Sequence, residues 1–143
     1  MELRASTELR ASPAEVFAVV SDLATYPSWL GIVLSADACG GDAWTVELGA
    51  RLGPLRRTKR VRMVRVEHDP EAGAVRFERQ EEDGREHAPW VLAAALSGNT
   101  TLTMDLRYGG GRWLPGLDLV LREEVRRAGN RLQRLLDGAR EDT

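Results

Sequence analysis

Hydrophobic and polar residues alternate from the start of the chain. Leu3, Ala5, Thr7 and Leu9 share one phase while Glu2, Arg4, Ser6, Glu8 and Arg10 share the other, the period of a half-buried strand over residues 2–10. The pattern changes at Ser12-Pro13-Ala14-Glu15. Ser can cap the first amides, Pro suits the first helical position, and the Glu three residues after Ser completes a capping box, so a helix is predicted here. Val16, Phe17, Val19, Val20 and Leu23 give it an apolar stripe, and Tyr26-Pro27 ends it, because the residue before Pro is pushed out of the α region. A second short helical turn is predicted over Ser28 to Gly31.

From Ile32 to Tyr108 the period is mostly two. Trp44, Val46, Leu48, Ala50 and Leu52 lie on one face of a strand, as do Trp90, Leu92, Ala94 and Leu96 on a second and Leu102, Met104, Leu106 and Tyr108 on a third. Turn chemistry separates the runs at Gly40-Gly41-Asp42, Asp69 to Gly73, Glu82-Asp83-Gly84 and Ser97-Gly98-Asn99, which predicts an antiparallel meander. Between Arg56 and Glu67 the alternation falters: Val61 and Met63 lie in one phase, Val64 and Val66 in the other, which fits a bulge or a strand covered on both faces. After Gly109-Gly110-Gly111 the period becomes helical. Leu117, Leu121, Val125, Ala128, Leu132, Leu135 and Ala139 form one stripe at spacings of three and four residues, the mark of a long helix lying on something apolar. The order of strand, short helices, about six strands and long helix is that of an α+β layer arrangement.

Composition narrows the function classes. At 143 residues with 43% hydrophobic and 29% charged positions, the chain suits one domain spanning residues 1–143. The net charge of −2 gives no overall attraction to nucleic acid, which is not expected as a partner. Lys59 is the only lysine beside 19 arginines, an imbalance that reads as compositional bias. Cys39 stands alone, and His68 and His87 are far apart, so neither a disulfide nor a metal site is expected, and no cofactor is implied. No apolar run follows the first charges and none reaches the roughly 18 residues of a membrane span, so the expectation is a cytoplasmic protein without stable membrane insertion, monomeric or homodimeric.

Ala11 to Phe17, followed by Asp22, Tyr26-Pro27 and Trp29, resembles the opening of the polyketide cyclase/dehydrase branch of the START-like (SRPBCC) superfamily. Val66 to Pro70, Val75-Arg76-Phe77 and Thr100 to Thr103 are similar too. The resemblance implies a helix-grip fold: a seven-stranded antiparallel sheet around a long C-terminal helix, two short helices after the first strand, and a cavity between sheet and helix. It further implies a small hydrophobic ligand such as a lipid, an isoprenoid or a polyketide-like or aromatic metabolite. Some relatives cyclise or aromatise polyketides, so a cyclase/aromatase enzyme is the alternative and a regulatory or interaction domain a third.

The candidate cavity wall is Trp44, Leu48, Met63, Phe77, Trp90, Leu92, Met104, Leu106 and Tyr108 from the strands, with Leu117, Leu121 and Val125 from the helix. The bland reading is that they fill a solid core. Trp29 would mark the rim or pin a short helix to the sheet, and Trp113 follows a Gly triplet that makes either a movable gate or a tight crossing. Arg60, Arg62 and Arg65 are an anion clamp in the cavity or a solvated sheet face, and Tyr108 is the favoured hydrogen-bonding group. His87 and Asp105 read as solvent-facing. The run Arg56 to Arg62 could meet RNA or lipid headgroups, but Glu78, Glu81, Glu82 and Glu86 stand ready to neutralise it across the sheet.

Overall fold

The computed structural model describes residues 2–109 and 117–141. Strand β1 (Glu2–Glu8) leads into helix α1 (Pro13–Val20) and a 3₁₀ helix (Leu23–Ser28). Strands β2 (Val33–Ala38), β3 (Ala43–Leu52), β4 (Leu55–Asp69), β5 (Ala74–Arg79), β6 (Trp90–Ser97) and β7 (Thr101–Tyr108) follow, and helix α2 (Leu117–Glu141) comes last. The seven strands form one antiparallel sheet in the order β1-β7-β6-β5-β4-β3-β2, so the first strand closes against the last. That long-range pairing holds the register of β1, from Glu2 opposite Arg107 to Glu8 opposite Thr101.

The start of α1 follows its sequence signal: Ser12 Oγ accepts from the Glu15 amide at 3.2 Å. Its end does not. The helix stops at Val20, short of Tyr26, because Asp22 turns extended and caps a new turn, its Oδ1 accepting from the Ala24 amide at 3.0 Å. Thr25 Oγ1 then donates to the Val19 and Asp22 carbonyls, which leaves Tyr26 and Pro27 inside the 3₁₀ helix rather than at a break. The second turn accordingly lies over Leu23–Ser28 and not over Ser28 to Gly31. In β4 the faltering phase is a bulge: pairing with β5 shifts between Arg65 and Glu67, and Val61 and Met63 are buried while Val66 is exposed.

One face of the sheet is apolar from edge to edge, with Leu3, Val46, Leu48, Val61, Met63, Val75, Leu92, Leu102 and Leu106 all buried. α2 lies across this face and buries Ala128, Leu132 and Leu136. The expected stripe drifts at its C-terminal end, where Leu136 is buried and Ala139 exposed, since a straight helix rotates away from any fixed repeat. Two contacts seat the helix. A Cβ on Gly129 would come within 2.9 Å of Thr7 Oγ1, so the missing side chain lets α2 approach β1. Gln133 then clasps the chain after β1: its Oε1 accepts from the Arg10 amide at 2.8 Å and its Nε2 donates to the Arg10 carbonyl at 3.3 Å.

Candidate functional site

The apolar face of the sheet and α2 enclose a slot of about 50 Å³. Its described walls are apolar side chains: Leu3, Leu23, Leu30, Ile32, Val33, Val46, Leu48, Val61, Met63, Trp90, Leu92, Met104, Leu106, Val125 and Ala128. A second space of about 340 Å³ runs between β1 and α2, where Ala5, Ser6, Thr7, Trp29, Leu102, Gly129 and Leu132 line it and Arg122 and Arg126 stand at its edge. Met104, Val125 and Ala128 belong to both walls and form the partition between them. Met104 is the adjustable member, an unbranched side chain that can change rotamer at low cost.

The candidate residues divide into two groups. Leu48, Met63, Trp90, Leu92, Met104, Leu106 and Val125 line the slot, and Trp29 lines the groove. Trp44, Phe77 and Tyr108 are buried but do not. Tyr108 stacks on Trp90 with ring centroids 5.0 Å apart, behind the slot wall and not as a polar group within it. Phe77 meets Tyr26 edge-on at 6.1 Å and Trp44 at 5.7 Å, while Tyr26 and Trp29 lie 4.4 Å apart, so these four rings form one aromatic plug under the 3₁₀ helix. Tyr26 is fully buried and its hydroxyl donates to the Val20 carbonyl at 2.7 Å. Burial first, and the nearby Asp22 charge second, push its ionisation far above the ordinary phenol range, so it remains a donor at any physiological pH. Trp113 lies outside the described residues, as do the side chains of Leu117 and Leu121.

The three arginines leave the slot untouched. Arg60 and Arg62 alternate with buried Val61 and Met63 and therefore face outward, Arg60 toward Glu47 at 3.9 Å and Arg62 to Glu82 at 3.1 Å. Arg65 shares the inward phase but sits beyond the slot as a staple. Its guanidinium donates to the Ser21 carbonyl and to Asp42 Oδ1, both at 2.8 Å, and lies 5.6 Å from the Trp44 ring centroid. It thus ties the end of α1 and the β2–β3 turn to the plug, and no anion clamp forms from these side chains.

Sequence reasoning missed the slot residues Leu30 and Ile32 of the loop before β2 and Val33 at the start of that strand, because this short irregular segment has no period to read. It also missed a polar cluster at the end of β5. Arg79 is the register partner of Met63, is nearly buried, and reaches Glu81 at 3.7 Å and the Ala88 carbonyl at 3.2 Å. His87 bridges Arg79 to Asp83, 2.8 Å away, so it is tied into a network rather than freely solvated. The Arg85 amide first, and His87 next, hold the Asp83 carboxyl below the usual carboxylate range. Asp105 faces outward to Arg4 at 3.7 Å. No helix is long and apolar enough to cross a membrane among the described residues.

No curated relative matches the chain. Solved structures do. A hypothetical protein from Sulfolobus tokodaii is 13% identical with a TM-score of 0.72, covering 98% of this chain and 97% of its own. A START superfamily protein from Mycobacterium smegmatis is also 13% identical, with a TM-score of 0.64 over 96% of this chain and 98% of its own. The Zhui aromatase/cyclase from Streptomyces sp. R1128 is 15% identical with a TM-score of 0.61, over 96% and 93% respectively. These likenesses establish the helix-grip fold. The model of one family, described as polyketide cyclase / dehydrase and lipid transport, matches residues 1–140, and with nearly its whole length so matched the chain belongs to that family.

Proposed function

We propose that the chain, acting as one domain, binds a small and largely apolar molecule between the sheet and α2: a lipid, an isoprenoid or a polyketide-like aromatic metabolite. The observation that carries this reading is the slot itself, enclosed by the fold's main layers and lined among the described residues by apolar side chains alone. Burying an apolar ligand there gains about 25 cal/mol per Å² removed from water. Size sets a condition on binding. A dry engineered cavity of about 150 Å³ holds benzene, three times the volume of this slot of about 50 Å³, so a larger ligand enters by opening the slot into its neighbour. Movement of Met104 joins the slot to the groove beside β1, and α2, seated there on Ala128 and Gly129, is the wall that can lift.

A cyclase/aromatase would need titratable groups converging on the slot to move protons and hold an enolate oxygen. Tyr108 and the arginines at 60, 62 and 65 are engaged elsewhere, which favours binding over chemistry. The test is native mass spectrometry of the protein purified from its own host, with thermal-shift measurements on medium-chain fatty acids and polycyclic aromatics. A bound apolar adduct, and stabilisation that rises with ligand concentration, are expected. Absence of any adduct together with no shift from either probe class would overturn the proposal.

A further inference from the structure

The spaces under α2 change in chemistry from one end to the other. The slot of about 50 Å³ has only apolar side chains in its described wall. The groove beside it, about 340 Å³, adds the hydroxyls of Ser6 and Thr7 and the side chains of Arg122 and Arg126. A third space of about 300 Å³ lies along the start of β1, between Glu2, Arg4 and Ala5 on the strand and Arg122 and Val125 on the helix. Val125 borders all three, and Arg122 borders both outer ones. A molecule lying through slot and groove therefore has hydrocarbon around one end and charge around the other.

Helix geometry puts that charge on the edge of α2 that meets β1. Arg122, Val125, Arg126 and Gly129 stand at positions i, i+3, i+4 and i+7, one face of a helix. Gly129 identifies this face, since a Cβ there would come within 2.9 Å of Thr7 Oγ1. Arg122 is one turn from Val125, about 5 Å along the axis. It is exposed overall yet lines both outer spaces, as an arginine does when its aliphatic stem covers an apolar wall and its guanidinium stays at the mouth.

The ion pairs around it leave this guanidinium without a carboxylate. Glu123 is shared by Arg126 at 3.0 Å and Arg127 at 3.2 Å, and Glu124 takes Arg131 at 3.1 Å. Across the mouth, Glu2 is held by Arg107 at 3.3 Å, and Arg4 reaches Asp105 at 3.7 Å. Arg122 pairs with no acidic side chain among the described residues, although Glu2 lines the same space.

We propose, building on the reading of the slot as a ligand site, that the ligand is a single-chain amphiphile ending in a carboxylate, its chain in the slot and groove and its head on Arg122. A carboxylate accepts two parallel N–H bonds from a guanidinium, a match that neither a hydroxyl nor an amine reproduces. Volume sets the chain length. Benzene in a dry cavity of about 150 Å³ corresponds to about 25 Å³ per carbon, so the slot joined to the groove takes a chain of roughly ten to fifteen carbons.

The experiment is isothermal titration calorimetry of the full chain with decanoate, 1-decanol and decylamine, probes of one chain length and three heads, at low and high salt. Decanoate should bind about tenfold more tightly than decanol and decylamine most weakly, with the decanoate advantage shrinking at high salt. Arg122→Gln should weaken decanoate about fivefold and leave decanol unchanged. Arg127→Gln, which removes the same charge from a residue lining none of these spaces, should change neither. Circular dichroism checks that both variants stay folded. Equal affinity for decanoate and decanol, tightest binding of decylamine, or an equal loss of decanoate affinity in the two variants would each overturn the proposal while an apolar ligand site stands. Failure of all three probes to bind would overturn that underlying reading as well.

Discussion

The two ends of the core are closed in different ways. Under the 3₁₀ helix, Tyr26, Trp29, Phe77 and Trp44 interlock ring against ring, the Tyr26 hydroxyl is satisfied internally, and Arg65 staples the assembly to the end of α1. Under α2 the contacts are with Ala128, Gly129 and Leu132, and two unfilled spaces lie beside them. Large rigid rings fill volume and fix one arrangement, whereas small residues leave a surface that can separate at low cost. A container needs both properties: a closed end that defines the fold and a wall that yields to a ligand.

Four substitutions probe this difference, from the largest effect down. Trp29→Ala in the plug should cost about 3–5 kcal/mol, read from urea denaturation, as expected when a buried aromatic leaves a cavity. A loss below about 1 kcal/mol would mean that the plug is no more rigid than the lid. Met104→Ala removes the partition; it should cost the ligand-free protein about 2 kcal/mol and increase the stabilisation given by apolar probes, because the slot and groove become one space. If probe-induced shifts shrink instead, the partition is not what limits ligand size.

Tyr26→Phe should cost about 1–2 kcal/mol by leaving the Val20 carbonyl without its donor. It also carries a pH signature. The Tyr26 hydroxyl ionises far higher in the folded protein than the ordinary phenol value near 10, so its stabilisation is complete below about pH 10 and is lost as pH rises above that value, where only the unfolded chain releases the proton. Alkaline titration of stability should therefore be shallower in the variant, and identical slopes would show that Tyr26 is not sealed from solvent. Gly129→Ala, under α2, should change the melting temperature least. The helix-propensity gain of about 1 kcal/mol offsets the push of the new methyl on Thr7. A loss of several kcal/mol would show that α2 is seated as firmly as the plug.

How much of this was legible along the chain varies by element. Strand and helix types were readable because alternation and helical spacing are local consequences of backbone geometry, and the capping box at Ser12 was a direct chemical signal. The helix end was not readable: Tyr26-Pro27 predicts the break, whereas Asp22 caps a new turn four residues earlier. The 3₁₀ helix absorbs that proline because Thr25 and Tyr26 find carbonyl acceptors on α1, partners that become available only once the chain has turned back. The half-buried Arg79–Glu81 pair had no sequence signal, since its partial burial depends on the register of β5 against β4.

The candidate site shows the same division more sharply. Inward strand phase identified Leu48, Met63, Trp90, Leu92, Met104 and Leu106, and every one lines the slot. By the same rule Trp44 and Phe77 belonged with them, and they are indeed inward and buried, but they fill the plug. Period two assigns a side chain to a face of the sheet and says nothing about what stands opposite it. By itself, then, the sequence determined the order of elements, the apolar face of each and the concentration of arginine around Leu52-Gly53-Pro54-Leu55. Only the tertiary structure decided which inward residues border empty space and which arginines lack an acidic partner, because both depend on strand registers and a helix docking angle that join residues far apart in the chain.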